Sequence, residues 1–145
     1  MQQTKLKPIL KWAGGKTQLL DEISHAYPDG FGDTSRRYAE PFVGGGAVLF
    51  DVLSKYELDE VYISDVNAEL INMYLVVRDQ AEELISILTA YQDEYHALDD
   101  EGRKVYYYGK RDEFNRLIAN GQSKVGVSSA ALFIFLNRTC FNGLY

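Results

Sequence analysis

The stretch Tyr38-Ala39-Glu40-Pro41-Phe42-Val43-Gly44-Gly45-Gly46 decides the predicted fold of this chain. It predicts a short strand over about 37–41, a turn through three glycines, and a helix over about 46–55. Glycine has no Cβ, so it tolerates positive φ and lets a ligand lie directly on the backbone. A strand, a glycine turn and a helix N-terminus together form a nucleotide-sized pocket at the end of a parallel sheet. A tight turn without any ligand remains the alternative at this point.

A second predicted strand, over about 61–65, ends in an acid. Asp65 follows Gly46 by nineteen residues. In nucleotide-binding α/β units, an acid about 20 residues after the glycine turn lies at the tip of the second strand, where it accepts hydrogen bonds from ribose hydroxyls. The spacing therefore predicts a ribose-binding role for Asp65.

An upstream glycine turn, Gly14-Gly15-Lys16-Thr17, invites comparison with the phosphate-binding P-loop. The tail of the pattern G-x-x-x-x-G-K-[ST] matches, but Leu10 stands where its first glycine should be. A P-loop nucleotide hydrolase is therefore a disfavoured alternative.

One ligand explains both glycine turns. Lys16 offers a cation, Trp12 a flat apolar face and Asp65 a hydroxyl acceptor. S-adenosylmethionine presents a carboxylate, an adenosine and a ribose to match them. Taken singly, Trp12 as a core aromatic and Lys16 as a solvated lysine remain open alternatives.

Composition and charge set the broad class. The chain has 145 residues, of which 46% are hydrophobic and 25% charged, as in an ordinary globular protein. Cys140 is the only cysteine, so no internal disulfide can form. No signal peptide and no apolar run of roughly 18 residues is visible, so we expect a cytoplasmic protein outside the membrane. No metal site is predicted.

The net charge of −6 is unevenly distributed. Residues 1–100 hold 8 Lys/Arg and 18 Asp/Glu, whereas residues 101–145 hold 7 and 3 and carry a net +4. The first 20 residues contain four lysines and no acid. Basic ends permit a polyanionic partner, although ordinary solvated charge explains the same pattern equally well.

The second half of the chain is predicted to be helical. Asn67 is a candidate N-cap, and amphipathic segments follow, one of them over about 80–96. The dipeptide Asn120-Gly121 is expected to end a further helix. Residues 130–136 are apolar on every side, which fits a buried helix or a buried strand; Ser128 as a cap favours the helix. The predicted class is α/β, with an incomplete sheet and a helical second half.

Four ordered motifs resemble one family. They are residues 11–16 (KWAGGK), 40–46 (EPFVGGG), 64–67 (SDVN) and 136–145 (LNRTCFNGLY). Together they are similar to the Dam-type (D12 class) adenine-N6 DNA methyltransferases, which include restriction–modification methylases acting on GATC sites. The resemblance implies an S-adenosylmethionine-dependent methyltransferase (Rossmann-like) fold. It also implies a catalytic-domain portion over 1–78 and the start of a target-recognition region over 79–145.

The resemblance also implies roles for individual residues. Trp12 and Lys16 would hold the methionine end of the cofactor, and Asp65 its ribose. The same pocket would be lined by Glu40, Phe42 and Gly44.

A DNA-contacting hairpin is implied by the segment that begins at Arg138. Phe141 would push into the base stack, Asn142 would read or replace a base edge, and Lys11 would face the target DNA. Phe141 as a core residue of the hairpin is the alternative.

The chain departs from the family in its catalytic residues. An Asp-Pro-Pro-Tyr-like tetrad does the chemistry in the family, whereas the three prolines here, Pro8, Pro28 and Pro41, are never adjacent. We therefore expect an N-terminal portion of a longer enzyme, without a catalytic residue and inactive alone. An open sheet edge would favour self-association. A non-enzymatic module that binds cofactor or DNA is the remaining alternative.

Overall fold

The computed structural model describes residues 6–140, which belong to two compact units, Met1–Val66 and Asn67–Tyr145. The first unit contains, in order, a 3₁₀ turn (Lys16–Leu19), α1 (Leu20–His25), β1 (Arg37–Glu40), α2 (Ala47–Lys55) and β2 (Glu60–Ile63). The second contains α3 (Ala68–Asp79), α4 (Ala81–His96), α5 (Asp100–Ala119) and α6 (Val127–Thr139). The predicted mixture of strands and helices is confirmed.

The two strands of the first unit form a parallel sheet. Arg37 pairs with Glu60 and Glu40 with Ile63 in its register. Parallel strands need a crossover connection, and α2 provides it. The pairing continues past the strand ends, where the Ser64 amide donates to the Glu40 carbonyl at 3.0 Å. Both strands therefore end at one edge, where their following loops meet.

The core of the first unit lies under α2, which buries Val48, Leu49 and Val52. An aromatic cluster of Tyr27, Phe31 and Tyr56 packs in the same unit. The Phe31 ring lies 4.8 Å, centroid to centroid, from both tyrosine rings. This cluster supports the segment that leads into β1.

In the second unit, α3, α4 and α5 all pack on α6. The apolar run 130–136 is buried throughout, so the helical interpretation of that segment is confirmed. Ser128 does not cap this helix, however, because Gly126 is its N-cap residue and makes no side-chain cap. Asn72 of α3 holds Gly126 instead: its Nδ2 donates to the Gly126 carbonyl, and its Oδ1 accepts from the Gly126 amide, both at 3.0 Å.

The other helix ends follow local chemistry. The Asn67 side chain accepts from the Leu70 amide at 2.9 Å, which confirms the predicted cap of α3. The Asp99 carboxylate accepts from the Gly102 amide at 2.8 Å and starts α5. Asn120 ends α5 as predicted, and Gly121 follows with φ +69°.

Residues 6–140 contain neither a membrane-spanning helix nor a cluster of metal-binding side chains. No helix there is long and apolar enough to cross a bilayer. No group of three or more His, Cys, Asp or Glu side chains there could hold a metal ion.

Candidate functional site

A cavity of about 230 Å³ opens in the first unit where the ends of β1 and β2 meet the loop before the 3₁₀ turn. All six residues expected to contact the cofactor line it: Trp12, Lys16, Glu40, Phe42, Gly44 and Asp65. The rest of the lining is Pro8, Leu10, Ala13, Gly14, Gly15, Thr17, Val43, Gly45, Gly46, Ala47 and Val48. Segments far apart in sequence thus converge on one space.

Hydrogen bonds hold together the two loops that contribute to this cavity. The Gly44 amide donates to Asp65 Oδ2 at 3.0 Å, and the Val43 amide donates to the Ser64 carbonyl at 3.0 Å. Ser64 Oγ donates to the Pro41 carbonyl, also at 3.0 Å. These contacts join the loop after β1 to the loop after β2, and they orient the Asp65 carboxylate.

The glycine turn is needed for two reasons. Gly46 has φ +81° and begins α2 from the left-handed region, which other residues adopt at a cost. At Gly45 the reason is space, because a Cβ there would lie 2.7 Å from Trp12 Cβ. Trp12 therefore packs directly against glycine backbone.

A charged pair lies beside the turn. Lys16 Nζ is 3.6 Å from Glu40 Oε1 and donates to the Phe42 carbonyl at 3.3 Å. Glu40 is only 6% exposed, so its carboxylate needs such partners to offset the loss of hydration. Adjacent positive and negative groups suit a zwitterionic ligand, whose carboxylate and ammonium need opposite partners.

Tyr38 completes the environment of Glu40. Its hydroxyl donates to Glu40 Oε2 at 2.8 Å. Burial, and then the hydrogen bond to Glu40, raise the pKa of Tyr38 above its ordinary value. The hydroxyl therefore stays protonated and remains a donor at neutral and mildly alkaline pH.

Phe42 offers apolar surface to the cavity. Although it lines the space, 75% of its area is exposed. An exposed aromatic ring beside a polar pocket can stack on a planar ligand group.

The loop before α1 differs from a P-loop in structure as well as in sequence. Lys16 begins a four-residue 3₁₀ turn, and α1 starts only at Leu20. No strand precedes the loop within residues 6–15. A P-loop connects a strand to an α-helix, so the phosphate-binding alternative finds no support here.

Two of the four residues expected to contact DNA lie within the part of the chain that the structure describes. Lys11 is exposed in the first unit and does not line the cavity. Arg138 is exposed near the end of α6 in the second unit, in a groove lined also by Leu88, Gln92, Tyr95, His96, Ile134, Phe135 and Thr139. Phe141 and Asn142 lie outside the described residues.

Two residues of the site were not anticipated from the sequence. Alternation along a strand places Tyr38 and Glu40 on one face, a signal that could have revealed the Tyr38 contact. Ser64 offered no comparable signal, because its bond to the Pro41 carbonyl depends on how the two loops meet.

Comparison with known proteins identifies a family for this chain. Residues 12–145 match the family described as D12 class N6 adenine-specific DNA methyltransferase. The chain is 49% identical over 142 residues to "Type II methyltransferase M.MjaIII" of Methanocaldococcus jannaschii, covering 97% of this chain and 48% of that protein. It is 38% identical to "DNA N-6-adenine-methyltransferase" of Escherichia phage P1, covering 98% of this chain and 17% of that protein.

A third relative is "DNA adenine methylase" of Escherichia coli K12, which is 33% identical over 97% of this chain and 43% of its own length. The chain thus spans about half the length, or less, of these curated relatives. Because the family match extends over residues 12–145, the chain belongs to the D12 class N6 adenine-specific DNA methyltransferase family.

Proposed function

We propose that this chain provides the cofactor pocket and part of the DNA-binding surface of a site-specific DNA adenine-N6 methyltransferase. The enzyme transfers a methyl group from S-adenosylmethionine to an adenine in duplex DNA. The observation that carries this proposal is the convergence of Trp12, Lys16, Glu40 and Asp65 on one cavity beside a glycine turn.

The lining fits the parts of S-adenosylmethionine. Lys16 pairs with the methionine carboxylate and Glu40 with its ammonium, because the two side chains offer opposite charges 3.6 Å apart. Asp65 accepts hydrogen bonds from the ribose hydroxyls. Trp12 and Phe42 provide apolar surface for the remainder.

The cofactor, when bound, supplies an electrophilic methyl group on sulfur. The residues of this chain bind and orient it, and such positioning accounts for much of the rate of a group transfer. The adenine amine needs its own hydrogen-bond acceptors and an aromatic partner, which the family places in an Asp-Pro-Pro-Tyr-like run absent from these 145 residues. The chain alone is therefore expected to bind cofactor without turnover.

We also propose a Rossmann-like methyltransferase fold, and the small parallel sheet of the first unit supports it. Parallel β1 and β2 are joined by α2, and the cavity lies at their carboxyl ends. Ligands of open α/β sheets bind at that edge. A functional boundary near residues 78 and 79 remains our proposal; the compact units meet at Val66 and Asn67.

The DNA partner is inferred from charge and from the family. Residues 101–145 carry a net +4, which favours contact with phosphates. Arg138, Phe141 and Asn142 provide the recognition contacts in this proposal, together with Lys11. A GATC-like target and a place in a restriction–modification system follow from the resemblance.

Two assays on the 145-residue chain test the proposal. Calorimetry with S-adenosylhomocysteine should show saturable binding, and a filter assay with tritiated cofactor and a GATC-containing duplex should show no transfer. Adding the remaining half of the M. jannaschii relative should restore transfer. Binding that persists without any restored transfer would favour a non-enzymatic module, whereas magnesium-dependent ATP hydrolysis lost in Lys16→Ala would favour the P-loop alternative.

A further inference from the structure

We propose that Tyr38 is a positioning residue of the cofactor pocket. Its hydroxyl fixes Glu40, and Glu40 in turn fixes Lys16, so that the amino-acid end of the cofactor meets a charged pair already in place. The inference rests on the proposed function and deepens it. It assigns a role to a residue outside the lining of the cavity.

The carboxylate of Glu40 is held from two sides. Oε2 accepts from the Tyr38 hydroxyl at 2.8 Å, and Oε1 lies 3.6 Å from Lys16 Nζ. Because Glu40 is 6% exposed, solvent has little room to replace either partner. The orientation of this carboxylate therefore depends on the hydroxyl of Tyr38.

The Tyr38 ring is itself supported. Its centroid lies 6.2 Å from that of Phe31, which packs between Tyr27 and Tyr56. Aromatic packing of this kind restricts the ring, so that the hydroxyl has a defined position. The donor also persists across neutral and mildly alkaline pH, since burial and the Glu40 contact raise the pKa of Tyr38.

Lys16 is where the positioning has its effect. Its side chain is 42% exposed and flexible, so it needs fixed partners to keep one orientation. The fixed Glu40 carboxylate is one, and the Phe42 carbonyl is the other. Because Lys16 is already held in one orientation before binding, less side-chain entropy is lost when the ligand binds.

The chain provides a matched control on the neighbouring strand. The Tyr62 hydroxyl donates to Glu60 Oε2 at 3.1 Å, with the same two-residue spacing as Tyr38 and Glu40. Tyr62 is 61% exposed, and neither residue of this pair lines the cavity. Removing that hydroxyl tests the same chemistry away from the pocket.

The experiment is calorimetric titration of the full chain with two ligands. S-adenosylhomocysteine carries the amino-acid group, whereas 5′-methylthioadenosine lacks it. Tyr38→Phe should weaken S-adenosylhomocysteine binding about 3- to 10-fold and leave methylthioadenosine binding unchanged, a loss typical of one ordinary hydrogen bond that acts on the ligand only through Glu40. Tyr62→Phe should change neither affinity. Thermal midpoints of the variants will show that each is folded.

A double mutant tests whether Tyr38 acts on the ligand through Glu40. In Glu40→Ala, the additional change Tyr38→Phe should have no further effect on S-adenosylhomocysteine affinity. Unchanged affinity in Tyr38→Phe, or equal weakening of both ligands, would overturn the inference. Failure of the wild type to bind S-adenosylhomocysteine would instead overturn the proposed function, and this inference with it.

Discussion

Trp12 shows how a single residue depends on its neighbours in this pocket. A Cβ atom added at Gly45 would lie only 2.7 Å from the Cβ of Trp12. Gly45→Ala must therefore displace Trp12 or the glycine turn. We expect this change to weaken S-adenosylhomocysteine binding about 10-fold, in line with the cost of overpacking.

Trp12 is the only tryptophan, so its fluorescence reports on this site directly. Gly45→Ala should shift the emission spectrum as well as the affinity. Gly109→Ala is the matched control, since nothing lies within 4 Å of a Cβ at that position. Wild-type emission and affinity in Gly45→Ala would show that the contact between Trp12 and the turn is unimportant.

Among single residues, the sequence predicts those positions that depend on spacing along the chain. The position of Asp65 beside the glycine turn could be predicted, because the spacing of such α/β units places an acid there; its ribose contact stays a prediction. For Tyr38, alternation along the strand indicates only that it shares a face with Glu40, because the hydrogen bond itself also needs a side-chain rotamer that no spacing rule fixes.

At the scale of elements, α6 is held by a contact from a distant helix. Asn72 is 5% exposed, and its amide both donates to and accepts from the backbone of Gly126. Asn72→Ala leaves that donor and acceptor without their partner. We expect the free energy of unfolding to fall by about 2–4 kcal/mol.

Urea unfolding followed by circular dichroism at 222 nm measures this loss. Asn115→Ala is the control, because Asn115 is exposed on α5. A loss below about 0.5 kcal/mol in Asn72→Ala, similar to that expected of a surface change, would contradict the structural role.

The starts of α3 and α6 show which helix ends a local sequence pattern can predict and which it cannot. The cap at Asn67 is local, bonding an amide three residues away, and so a sequence pattern identified it. The start of α6 depends on Asn72, which is 54 residues from Gly126 in sequence. A local capping pattern cannot detect such a contact, and the predicted cap at Ser128 was wrong. Helix α4 could be predicted over about 80–96 because its apolar spacing is local; it spans Ala81–His96.

At the scale of the whole molecule, several tyrosines link stability to pH. Burial, and to a smaller extent the neighbouring acids, raise the pKa of Tyr38 and Tyr106 well above the ordinary value near 10. Below pH 10 the folded and unfolded states are both protonated, so the contribution of these tyrosines is fully present. Above pH 10 the unfolded state loses protons first, and stability should fall by at most about 1.4 kcal/mol per pH unit for each such tyrosine.

Urea unfolding at pH 8.5, 10 and 11 tests this dependence. The wild type should lose stability between pH 10 and 11. Tyr106→Phe should lose less, because phenylalanine has no hydroxyl to deprotonate. Equal stability at all three values would show that these hydroxyls are not protonated more tightly in the fold.

The two-stranded sheet also bears on association. Val61 and Tyr62 of β2 are 38% and 61% exposed, and no further strand pairs with the sheet within residues 6–140. Self-association of the chain stays a prediction. Sedimentation velocity over a range of concentrations should show growth in mass; a constant monomer mass would contradict it.

We propose that S-adenosylmethionine binds in the glycine-turn cavity and that Asp65 contacts it. Calorimetric titration of the 145-residue chain with S-adenosylhomocysteine tests it most directly, with Asp65→Asn beside Asp59→Asn, a change at the exposed partner of Arg36. We predict one-site saturable binding, weakened about 10- to 100-fold by Asp65→Asn and unaffected by Asp59→Asn. Absence of saturable heat in the wild type would show that the cavity does not bind the cofactor, and equal affinity in Asp65→Asn would show that Asp65 does not contact it.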